Sequence, residues 1–182
     1  MKSKLIAALV PFALAAAGAS ADTVVVDVSG WNSFGSYGNA LNTSVNISVP
    51  VGAMITEISY GGVSYATLGF SYVNELTFSV NDGPVGAFWD GVLDGTNGSG
   101  SVSNANGLFS TLPGAQVGGG PFTSLTGSLF VTVYEQFDDA GATGQDAAVS
   151  AGLLTITYSV PTPGAAALLG LGGLVATRRR RA

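Results

Sequence analysis

A chain of 182 residues with 47% hydrophobic and only 9% charged side chains, 27 glycines and no cysteine is too apolar for a disordered polymer and supports no disulfide or thiolate chemistry. Its basic residues, Lys2, Lys4, Arg178, Arg179, Arg180 and Arg181, stand at the two ends, whereas all 11 acidic residues fall between Asp22 and Asp146, and histidine is absent. That middle cannot neutralise phosphates, which excludes nucleic-acid binding, and it lacks the His or Lys base of the common serine and cysteine hydrolases.

At the N-terminus Lys2 and Lys4 precede an apolar run from Leu5 to Ala17, and Ala19-Ser20-Ala21 places small residues in the A-x-A pattern before Asp22. This order predicts a signal peptide over 1–21, handled by the Sec export machinery and cleaved after Ala21. The apolar run is shorter than the ~20 residues a spanning helix needs.

Residues 22–160 read as strands separated by glycine turns. Strict alternation places Val45, Ile47 and Val49 on one face of SVNISV, and Leu76, Phe78 and Val80 on one face of ELTFSV. Thr23–Val28, Met54–Tyr60, Leu129–Glu135 and Leu153–Val160 are further candidates, rich in β-branched and aromatic residues. Gly61-Gly62, Asn81-Asp82-Gly83-Pro84, Asp94–Gly98 and Gly118–Pro121 are turn signals, and the region from Gly91 to Gly120 reads as a long, weakly structured link. The expected fold is all-β: an antiparallel two-sheet β-sandwich with jelly-roll-like connections. Its core should include Val45, Ile47, Leu76, Phe78, Val131, Val133, Leu154 and Ile156. The segment from Gly127 to Tyr158, an acidic loop between two strong strands, resembles the closing part of extracellular jelly-roll modules such as protease-associated P domains, which implies fold class and no ligand.

With neither His nor Cys, a metal site would need oxygen ligands, and calcium heads the candidates. Asp138, Asp139 and Asp146 share one interstrand loop and are the candidate calcium ligands; Asp90 to Gly98 is a second acidic loop without EF-hand spacing. In both loops the competing reading is a solvated turn that uses Asp for its geometry. No catalytic residue or resident cofactor is expected. Paired carboxylates among Glu57, Glu75, Glu135 and the aspartates have no recognisable catalytic context. Trp31, Trp89, Tyr37 and Tyr72 would stack on sugar rings if exposed and would join the core if buried.

The chain closes with Pro161-Thr162-Pro163, an apolar run from Gly164 to Ala176, and Arg178 to Arg181. The prolines separate domain from tail, and the run reads as a short apolar helix over 161–182 whose ~20 Å reach falls short of a ~30 Å hydrocarbon core. This tail resembles the PEP-CTERM sorting domain, with Thr162 where that pattern has Glu. The resemblance implies membrane targeting, with Pro161, Thr162, Pro163 and the four arginines as the sorting motif, and an exosortase-like membrane protease as partner. The expectation is an exported, non-catalytic cell-surface or extracellular-matrix protein of a bacterium, structural or adhesive. The alternative is a polysaccharide-binding module stabilised by calcium.

Overall fold

Residues that alternate between apolar and polar bury one side of an extended strand, and this chain pairs such strands into two layers. The computed structural model describes residues 20–83, 88–93, 97–109, 118–141 and 143–160. Residues 1–19 of the expected signal peptide over 1–21, and the expected tail 161–182 with Pro161, Thr162, Pro163 and Arg178 to Arg181, lie outside them.

The described strands are β1 (Ser20–Asp27), β2 (Asn32–Ser33), β3 (Ser44–Ser48), β4 (Met54–Thr67), β5 (Leu76–Asn81), β6 (Phe88–Val92), β7 (Ser101–Leu108), β8 (Gly118–Gly119), β9 (Phe122–Thr123), β10 (Ser128–Glu135) and β11 (Ala147–Val160). One sheet has the order β1-β11-β4-β7, with β2 against β11 and β9 against β4; the other runs β3-β10-β5-β6-β8. Every pairing among them is antiparallel. Both sheets turn apolar residues toward a shared core, as in a β-sandwich. Ile55, Ile58, Leu154 and Ile156 come from the first sheet and Leu76, Phe78, Leu129, Val131 and Val133 from the second.

Six of the eight expected core residues are fully buried. Ile47 is half-buried against the core, and Val45 is 37% exposed. The reason is position. Val45 pairs with the buried Val131, but β3 is an edge strand of its sheet, so the inward face at Val45 opens onto a cleft of about 440 Å³ lined also by Val25, Trp31 and Ile47.

Two readings of the glycines need correction. Gly61-Gly62 does not turn the chain; β4 runs straight through it as a bulge, with Gly62 at φ +65°. The bulge shifts the alternation by one, so that Ile58 and Tyr60 before it and Val63 and Tyr65 after it all face inward. Nor is Gly91–Gly120 a link throughout. Gly91 and Val92 end β6, and β7 pairs along β4 and leads into the fully buried Phe109. Gly91 is required where it stands: a β-carbon there would lie 2.6 Å from Phe109 Cγ.

Candidate functional site

On the outer face of the second sheet, register places side chains in rows across the strands. Phe130, Asn81 and Phe88 form one row, and Thr132, Ser79 and Asp90 form the next. Tyr134 stands beside Thr77 in a third. An outer face is ordinarily solvated, yet Thr77, Ser79 and Asn81 are buried. Flanking them in register are aromatic residues set in the phase opposite to the core residues of their own strands: Phe130 between Leu129 and Val131, Tyr134 beside Val133, and Phe88 beside Trp89.

Tyr37 reaches this face from the loop joining β2 to β3. The buried Asn42 shapes that loop, accepting from the Phe34 amide at 2.6 Å and donating to the Ser36 carbonyl at 3.0 Å. Asn39 adds a hydrogen bond to the Phe34 carbonyl. The Tyr37 ring meets Tyr134 edge-on, with centroids 5.4 Å apart, and its hydroxyl accepts from Asn81 Nδ2 at 3.2 Å. The result is a cleft of about 340 Å³ lined by Tyr37, Ser79, Asn81, Phe88, Asp90 and Tyr134. A second hollow of about 270 Å³, lined by Tyr37, Asn46, Gly83 and Phe130, shares Tyr37 and Gly83 with it.

Asp90 is the carboxylate of this cleft. Tyr134 donates to its Oδ2 at 3.4 Å, while Oδ1 is buried with no hydrogen-bond partner. Burial pushes Asp90 above the ordinary carboxylate range, offset only in part by the Ser79 and Tyr134 hydroxyls. Burial and then the charge of Asp90 push both Tyr134 and Tyr37 upward, so both phenols stay protonated at neutral pH. The cleft therefore offers two phenol O–H groups, an amide, a hydroxyl and an acceptor beside aromatic rings. That set suits a ligand carrying many hydroxyls on an apolar ring face.

The other residues singled out from sequence are scattered. Trp31 and Trp89 are core residues, 7% and 3% exposed, while Tyr37 and Tyr72 are on the surface at 49% and 41%. Of the three candidate calcium ligands, Asp138 and Asp139 are exposed, and Asp146 is fully buried. Asp138 packs against Gly35. Among the described residues no group of three or more acidic side chains is arranged to hold a metal ion. Part of the Asp90 to Gly98 loop lies outside the described residues. Sequence reasoning singled out the tyrosines, Tyr37 and Tyr134 among them, and the Asp90 loop, but passed over Ser79, Asn81 and Phe88. Their signal was the aromatic residue out of phase with its strand's apolar alternation.

No family model matches this chain, and no curated protein matches it. Among solved structures, one titled as infectious bursal disease virus Gx strain is similar over 97% of this chain and 54% of its own, at 14% identity and a TM-score of 0.32. A family two carbohydrate esterase from Cellvibrio japonicus is similar over 79% of this chain and 36% of its own, at 16% identity and a TM-score of 0.21. The chain thus spans about half the length of the first and about a third of the second.

Proposed function

We propose that this chain is an exported, non-catalytic surface module that holds a neutral polysaccharide in the cleft between Tyr37, Asn81, Asp90 and Tyr134. The observation that carries the reading is the burial of two polar residues of β5, Ser79 and Asn81, on the outer face of a sheet, among aromatic rings and beside the half-buried carboxylate of Asp90. Aromatic faces take the C–H side of a sugar ring, and the amide, phenols and carboxylate take its hydroxyls.

Charge selects the class of glycan. The region from Asp22 to Val160 carries all 11 acidic residues and no basic one, so an acidic polysaccharide would be repelled. Among the described residues Asp90 is the single carboxylate lining the cleft, which favours holding a sugar over two-carboxylate hydrolysis. Chain order supports a jelly-roll-like wrap, since β3, β4 and β5, and again β8 to β11, pass back and forth between the sheets.

Export rests on the basic, apolar and A-x-A order ahead of Asp22. Retention at the surface rests on the PEP-CTERM-like tail, recognised in the membrane by an exosortase-like protease. The test is electrophoresis through native gels containing neutral or acidic polysaccharides. Retardation by a neutral polymer that disappears in Tyr37→Ala supports the proposal. Mobility unchanged by every polymer would leave a structural surface role in its place.

A further inference from the structure

At one end of the core the apolar row of β10 finishes on an acid. Leu129, Val131 and Val133 face inward, and the next residue in phase is Glu135, with no exposed surface and no hydrogen-bond partner at Oε1 or Oε2. Its backbone amide donates to Gly35 O at 3.1 Å, beside β2, while the Asp146 amide donates to Ser33 O at 2.9 Å. Asp146 is also without exposed surface. Its Oδ1 accepts from the Ala140 amide at 3.2 Å and from Ser71 Oγ at 3.4 Å, and its Oδ2 has no partner. Ser33 and Ser71 are fully buried, and Ser33 Oγ is again unpartnered.

Four buried oxygens without a partner, on three side chains, are costly unless something satisfies them. No lysine, arginine or histidine exists between Lys4 and Arg178, so the countercharge cannot come from a side chain of the domain. It must be a proton or a metal ion. One shared proton makes a single O–H···O bond and satisfies two oxygens, whereas a hard cation accepts many oxygen donors at once.

We propose that Glu135 and Asp146, with the hydroxyls of Ser33 and Ser71, form a buried site for one calcium ion. The donors are all oxygens, and calcium accepts irregular sets of six to eight at about 2.3–2.6 Å, the rest coming from backbone carbonyls or water. Magnesium demands a near-octahedral shell and surrenders water reluctantly, which disfavours it in this confined place. Asp138 and Asp139, exposed on the loop above, are not ligands here but raise the local cation concentration. The site is independent of the cleft, because Glu135 faces the core and Tyr134 the opposite side of the sheet.

The experiment strips the purified chain with chelator. It then measures bound metal after equilibrium dialysis, and thermal unfolding in calcium, magnesium and sodium chlorides at matched ionic strength. One calcium per chain is expected, with stabilisation that rises with calcium and exceeds that by magnesium. Glu135→Gln should weaken binding by more than about tenfold, and Ser33→Ala, which keeps both carboxylates, should weaken it less. Asp139→Asn, which removes a nearby charge but no ligand, should weaken binding far less than Glu135→Gln does. Binding lost in Asp139→Asn but kept in Glu135→Gln would move the ion to the surface loop and overturn the proposal. So would equal stabilisation by all three salts with no retained calcium, which would leave the pair holding a proton.

Discussion

Gly91 and Phe109 test whether the chain between β6 and β7 is part of the core. Gly91 pairs with Phe78, and the Phe109 ring fills the space a side chain at 91 would occupy. An alanine β-carbon there would meet Phe109 Cγ at 2.6 Å, Cδ2 at 2.7 Å and Cβ at 3.0 Å. Favourable carbon contacts lie at about 3.5–4.0 Å, so ring or strand must move by roughly 1 Å. Overpacking of that kind costs about 1–3 kcal/mol, set against a gain of about 0.4–1 kcal/mol from the stiffer unfolded chain. Phe109→Ala alone should cost about 3–5 kcal/mol, because Phe109 has no exposed surface. In the double variant the new methyl enters vacated space, so the combined loss should fall short of the sum by more than about 0.5 kcal/mol. Urea unfolding of the four proteins measures this directly. Strict additivity, or a Gly91→Ala protein indistinguishable from the parent, would refute the packing of this segment.

Phe78→Ala, at a fully buried position on β5, should lose about 3–5 kcal/mol by the same assay, and a loss well below 1 kcal/mol would place the residue outside the core. Asp82 is buried, which opposes ionisation, but Leu125 N, Ser124 Oγ and Thr126 donate to it and together hold its carboxyl below the usual aspartate range. Its folded form therefore binds protons less readily than the unfolded chain. The stabilisation is present above an ordinary aspartate pKa of about 3.9 and is lost as pH falls through the depressed value. Asp82→Asn should cost about 1.5–3 kcal/mol at neutral pH and flatten the acid limb of a stability-against-pH curve. Replacing Arg178 to Arg181 with serine should release the protein to the medium, and unchanged fractionation would remove the tail from the account of retention.

Strand-forming segments with alternating apolar residues were legible because burial of one face dictates them: Leu76, Phe78 and Val80, and likewise Val131 and Val133, sit where the pattern places them. The pattern failed where context overrides it. β7, SVSNANGL, is a polar edge strand that buries little, so it leaves no apolar signature. Gly61-Gly62 carries the dipeptide of a turn, and only pairing on both sides of β4 converts it into a bulge. Val45 has the right phase but lies at a rim, and edge position depends on strand order, which alternation does not encode. The cleft was half legible. Phe130 and Tyr134 stand out of phase on β10, and Glu135 is an acid in phase with its core, yet Tyr37, whose hydroxyl accepts from Asn81, comes from some 40 residues away in sequence.

The central claim, that the outer face of the β5 sheet holds a neutral glycan, is tested most directly by backbone amide shifts during titration with oligosaccharide fragments of the polymer that retards the protein. The account predicts saturable changes concentrated at Tyr37, Ser79, Asn81, Asp90 and Tyr134, abolished by Tyr37→Ala. Saturable changes centred on another surface, with these amides unmoved, would contradict it.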